Sequence, residues 1–161
     1  MGLFDFLKPL TLGEAEIRVV TPADGRTVRV SFILKTFKLA KENDFVEIST
    51  PGLNGEPLQF VRAHSRTLSM VLYFDGRPTN TDVRQSMKQV TDLMNVLETT
   101  HAPPVLSFEW TGFALRCVLS SGTVESFSSR FADGRPSRGQ MRVTFRESLT
   151  LQELQQEAGR E

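Results

Sequence analysis

Between Arg66 and Gly76 the chain reads RTLSMVLYFDG, and its apolar side chains recur with a period of two. Leu68, Met70, Leu72 and Phe74 fall on one face, and Thr67, Ser69, Val71 and Tyr73 on the other. Such a run is a strand with one face in a core. Its second face carries Val71 and Tyr73, so it is only half polar and should be partly covered. The same alternation returns along most of the chain. AEIRVV sets Ile17 and Val19 opposite Arg18. RTVRVSFIL sets Val28, Val30 and Phe32 opposite Arg29 and Ser31, and Thr36 to Ala40 can prolong it. FALRCVLSS places Phe113, Leu115, Cys117 and Leu119 together, and SRGQMRVTFRE places Met141, Val143 and Phe145 opposite a polar series. Between them, GTVESFSSRF runs into Asp133-Gly134, a strong hairpin signal. FVEIST reads as a short strand closed by Pro51-Gly52, and GLNGEPLQFV as a loop.

One segment breaks the pattern. Val83, Met87, Val90, Met94 and Leu97 are spaced 4, 3, 4, 3, the stripe of an amphipathic helix. Leu93 and Val96 widen the stripe, so the helix should pack broadly on a sheet. Thr79 with Asp82 offers a capping-box-like start. Pro103 and Pro104 stop the helix by about Thr100. The fold class expected is therefore mainly β: antiparallel sheets closed into a barrel or sandwich, with one packed α-helix. A chain of 161 residues makes one domain, over residues 13–148, with an N-terminal extension at 1–12 and a polar helical tail at 149–161.

Nineteen basic and nineteen acidic residues cancel, which excludes an overall basic nucleic-acid binder and leaves little electrostatic resistance to self-association. No apolar run approaches the ~18 residues of a membrane-spanning helix. MGLFDFLKPL has no basic region before a long apolar core, so it is not a secretory signal. Leu3, Phe4 and Leu7 would share one face of a short hook ended by Pro9, either a docking element or a frayed terminus.

Few residues offer chemistry. His101 lies beside Ala102-Pro103-Pro104, with only Glu98, Thr99 and Thr100 nearby, and His64 is the other histidine. That is no nucleophile and base pair and no metal set. His101, Pro103 and Pro104 are expected to form a structural joint, with His101 at the negative end of the helix dipole and the prolines extending the chain into the next strand. Cys117, the only cysteine, belongs to an apolar alternation and reads as a buried thiol. Asp75 and Asp82 bracket a loop, without the context of a catalytic pair. No catalytic residue, metal site or cofactor is expected. From Arg130 to Arg146 there are five arginines against one acid. Arg138, Arg142 and Arg146 recur every four residues, on one strand face at roughly 13 Å intervals. That face is either ordinary solvated surface, the lining of a channel, or a contact with a neighbour.

Several stretches, in order, resemble the tube proteins of contractile injection systems, the phage-tail-like particles. They are the Pro-Gly loop and strand ending Phe-Asp, Pro51 to Gly76; the helix segment TNTDVRQSMKQVTDLM; the run HAPPVLSFEWTGFALRCVLSS; and the hairpin and last strand FADGRPSRGQMRVTFRE. The similarity covers Phe45 to Glu147. It implies a structural protein of the tail-tube type, not an enzyme, in which a homo-hexamer closes its sheets into one β-barrel around a channel. Such a ring either stacks repeatedly as inner tube or sits once at the baseplate, joining the spike to the tube. The family has Phe-Asn-Pro near its first strands where this chain has Phe32 to Leu34, and the kinship to members carrying LysM modules favours the baseplate initiator. The partners implied are the spike protein, tube rings and other baseplate components, with neither nucleic acid nor direct membrane insertion. Assembly is expected in the cytoplasm, into a particle that is released or docked at a membrane. The bulk inner-tube subunit and a small monomeric β-barrel binding module are the alternatives.

Overall fold

A computed structural model describes residues 11–148 apart from 49–50, 53–54, 56 and 64. The hook at Gly2–Leu7, the tail at 149–161 and His64 lie outside the described residues. The elements are β1 (Leu12–Thr21), β2 (Thr27–Ile33), β3 (Lys38–Ala40), β4 (Asn43–Glu47), β5 (Leu58–Ala63), β6 (Thr67–Asp75), α1 (Val83–Thr91), β7 (Val105–Trp110), β8 (Phe113–Arg130) and β9 (Pro136–Glu147).

The chain is mainly β, as its alternation requires, and every strand pairing is antiparallel. The order β2-β1-β7-β8-β9-β6 closes on itself, because β6 also pairs with β2. Closure covers most of the strand edges, the usual liability of a β-protein. The seam between β2 and β6 shows how it is made. Ser31 and Phe32 pair with Tyr73 and Leu72. A 3-10 turn, Leu34–Thr36, then interrupts the strand, and β3 resumes the ladder from Lys38 opposite Ser69. The Val71 amide in the gap donates to Thr36 Oγ1 at 2.9 Å, so the break leaves no orphan donor there. Val71, on the outer face, is thereby buried. That accounts for the half-apolar outer face of β6.

Inward residues of all six barrel strands make one core. Ile17, Phe32, Leu68, Met70, Leu72, Leu106, Phe108, Met141, Val143 and Phe145 are fully buried in it. One part of it is aromatic, with the Phe32 and Trp110 rings edge to face at 5.2 Å and Phe37 5.1 Å from Trp110.

Helix α1 joins this core through Val83, Met87 and Val90, and Leu93 of the following 3-10 turn extends the contact. The sheet is bare where the helix lands. A Cβ on Gly139 would lie 2.7 Å from Met87 Cε, and one on Gly122 2.7 Å from Met141 Cε and 3.7 Å from Met94 Sδ. The helix is shorter than its apolar period suggests. It starts at Asp82, whose carboxylate accepts from the Arg84 amide at 2.9 Å, and not through Thr79, whose hydroxyl meets that of Thr81. It ends at Thr91, with one 3-10 turn to Met94 and extended backbone at Asn95. Val96, expected to widen the stripe, is 67% exposed for that reason.

The β7–β8 hairpin turns through Thr111 and Gly112, at φ +38° and +78°. Two positive φ values are the geometry of a two-residue hairpin loop, and a β-branched residue adopts it only under strain. Thr111→Gly should raise stability by about 1 kcal/mol. Chemical denaturation would read this as a higher midpoint at unchanged slope.

Candidate assembly surfaces

Strand β8 is 18 residues long, and its two edges are treated differently. β9 pairs with it from Cys117 to Arg130, while β7 pairs with it only from Phe113 to Cys117. Among the described residues, Val118 to Arg130 therefore has no strand partner on one side. Register shifts between Leu119 and Ser121, Val124 and Ser126, and Phe127 and Ser129 bend this arm. Val124 and Phe127 are 45% and 48% exposed on it. The sequence suggested two segments here; the structure makes them one continuous strand.

The second surface was only half recognised in the sequence, where FVEIST reads as a short strand and corresponds to β4. GLNGEPLQFV, read as a loop, contains β5, which pairs with β4 in a two-stranded sheet separate from the barrel. The Phe45 and Phe60 rings meet at 5.9 Å, roughly perpendicular. Phe45, Val46, Leu58, Phe60 and Val61 are all exposed, and none belongs to the barrel core. Phe45 and Val46 are neighbours on one strand, so apolar side chains project from both faces. A two-stranded sheet in water is marginal on its own. The available signal was Phe45-Val46 followed by Ile48, an alternation without a polar face.

The arginine series lies on the outer face of β9, opposite Met141, Val143 and Phe145. Arg142 and Arg146 are exposed, and Arg138 is half-buried. Cross-strand partners divide the series. Arg142 Nε donates to Glu125 on β8 at 2.6 Å, so the middle charge is compensated. Arg138 sits opposite Asp75, and its Nε is buried without a hydrogen-bond partner among the described residues. The face is a row of three arginines with one neutralised, not an unbroken basic stripe.

Near Asp75 the chain repeats one local device. Asp75, Asp82 and Asp133 each accept from the amide and the guanidinium of the arginine two residues on. Shortest side-chain distances are 2.8 Å to Arg77, 2.6 Å to Arg84 and 2.7 Å to Arg135. Asp24 does the same with Arg26. Three Asp-Gly-Arg triplets in the sequence were the visible signal. Arg135 also reaches Asn80 and stacks on Phe131, which ties the β8–β9 turn to the loop before α1. The Arg77 and Arg84 side chains hold the Asp75 and Asp82 carboxyls below their ordinary range, and the Arg135 amide does so for Asp133. A carboxyl with a depressed folded-state pKa contributes stability above its ordinary pKa of 3.8, lost as pH falls through the lower folded value. Below about pH 4, this end of the barrel should loosen first. Hydrogen exchange should show the Arg77, Arg84 and Arg135 amides losing protection while Leu72 and Val143 keep theirs.

The remaining candidates are structural in their surroundings. His101 does not end the helix, since α1 stops ten residues earlier. It occupies a tight turn at φ +54°, where its amide donates to Leu97 O at 2.8 Å and Leu97 N donates to Ala102 O at 3.0 Å. Pro104 is buried at the entry to β7, and Pro103 is half-buried. Cys117 is buried, and burial pushes its thiol up to about 12. Among the described residues, no cluster of His, Cys, Asp and Glu is grouped to hold a metal, and no helix is long and apolar enough to cross a membrane.

No curated protein matches the chain significantly. A family model, that of the contractile injection system tube protein, matches residues 10–156 and so spans every described strand. A closed β-barrel with one helix packed into it and two exposed apolar surfaces thus comes with a match over nearly the whole chain, which belongs to the contractile injection system tube protein family.

Proposed function

We propose that this chain forms a homo-hexameric ring at the baseplate of the injection system, where it starts the inner tube and joins it to the spike. Membership of the tube family gives assembly with other components of such a particle. The observation that supports ring formation is the arm of β8 from Val118 to Arg130, one edge of which has no strand partner among the described residues, beside exposed Val124 and Phe127. A neighbouring copy that pairs with this edge continues the sheet from subunit to subunit. The apolar β4–β5 hairpin gives the second contact. Burying Phe45 and Phe60 contributes about 2 kcal/mol each per subunit.

The role is structural, without catalysis or cofactor. In such a ring the outward face bearing Arg138, Arg142 and Arg146 either lines the channel or meets the next ring. His101, Pro103 and Pro104 fix the entry into β7. Zero net charge favours close stacking of identical copies. The experiment is to tag the chain and image isolated particles. Label confined to one position between spike and tube supports the initiator. Label along the whole tube makes the chain the bulk inner-tube subunit, and label absent from particles overturns both.

A further inference from the structure

The three Asp-Gly-Arg triplets lie at Asp24 between β1 and β2, at Asp75 where β6 ends, and at Asp133 between β8 and β9. An aspartyl-glycine bond is open to ring closure, because glycine has no side chain to shield its nitrogen. With the carboxyl in its neutral form, that nitrogen attacks the side-chain carbonyl carbon. A C–N bond forms, and the hydroxyl leaves with the amide proton as water. Solvent water then opens the five-membered imide. Opening at the main-chain carbonyl leaves an isoaspartyl link, with one extra carbon in the backbone.

The carboxyl side does not distinguish the three sites. Each accepts from the amide and guanidinium of its own arginine. The Arg26 amide holds the Asp24 carboxyl below its ordinary range, as the Arg77 side chain and the Arg135 amide do for Asp75 and Asp133. The nitrogen side does distinguish them. Gly76 N donates to Ser137 O at 2.8 Å and Gly134 N to Phe131 O at 3.0 Å, so closure there must first break a hydrogen bond. Gly76 is also wedged, since a Cβ on it would collide with Thr81 O. The Gly25 amide donates to no group among the described residues, and open space surrounds Gly25.

We infer that Asp24-Gly25 is a site of spontaneous isoaspartyl formation, from which the fold spares Asp75 and Asp133. Exposure alone ranks the sites differently, because the Asp133 side chain is 56% exposed and that of Asp24 33%. The extra carbon would fall in the β1–β2 turn, where the Val19 amide donates to Arg26 O at 2.9 Å. The inference concerns a single copy and holds whether or not rings form.

The test is to age the purified full chain at neutral pH, folded and in guanidinium chloride, and to locate isoaspartate by isoaspartyl methyltransferase labelling and peptide mass mapping. In the folded chain Asp24 should accumulate it about fivefold faster than Asp75 or Asp133, the effect of one hydrogen bond. In the denaturant the three rates should converge. Asp82, gripped by Arg84 in the same way but followed by Val83, is the internal blank. Asn54-Gly55 reaches the same product with a change in mass, and is told apart by it. A folded-state rate at Asp24 equal to or below that at Asp75 or Asp133 overturns the inference. So does an unchanged ranking in the denatured chain, because the fold would then not be its cause.

Discussion

Met87→Asp should leave no folded protein. Met87 is 2% exposed, in the core between α1 and β9, with its methyl set against the bare backbone of Gly139. An aspartate there meets neither water nor a cation, and burying an unpaired charge costs several kcal/mol. The whole stability of a domain is roughly 5–15 kcal/mol. Thermal unfolding of the variant should show no cooperative transition, and near-UV circular dichroism should be flat. Met87→Leu, close in volume, should retain the transition with a loss below about 1.5 kcal/mol. On the other face of the same helix, Lys88→Ala removes only an exposed pair with Asp92 and should stay within about 0.5 kcal/mol. A folded Met87→Asp protein would mean that the helix does not seal the core.

The double substitution Phe45→Asp with Phe60→Asp should do the reverse: fold and fail to assemble. Both rings are about half exposed and touch each other outside the barrel core. Carboxylates at these sites stay solvated in the monomer, so the barrel transition should be preserved. In the proposed ring the same positions would face a neighbour, and each copy would then lose about 4 kcal/mol of apolar burial and add two charges to an apolar contact. Sedimentation of the variant should give a monomer at concentrations where the parent chain is assembled. Rings formed as readily as by the parent would show that the hairpin is not a contact.

The barrel was legible in the sequence wherever a strand has one buried face. β6 and β9 follow the period of two because Leu68 to Phe74 and Met141 to Phe145 meet in the core while their alternates face outward. The hairpin was only half read, for a physical reason. Its strands have no core face, so FVEIST was legible as a strand only by its apolar content, and β5, with Phe60 and Val61 adjacent after a segment rich in glycine and proline, read as a loop. The helix was placed correctly and measured too long. Apolar periodicity persists at Met94 and Leu97, whereas backbone helicity stops at the 3-10 turn. That misjudged end also put His101 at a helix terminus it does not reach. The arginine face was readable as spacing and not as chemistry. Glu125, which pairs with Arg142, lies on β8 beside a register shift, and bulges of that kind have no mark in this sequence.

The central claim is that this barrel is a ring subunit, whose open β8 edge and two-faced hairpin are completed by copies of itself. Native mass spectrometry of the purified chain over a range of concentrations tests it most directly. The expected result is a six-copy species of the 18.1 kDa chain at high concentration, lost in the Phe45→Asp, Phe60→Asp variant. A chain that stays monomeric at every concentration, and that never joins spike or tube components when mixed with them, would contradict the account.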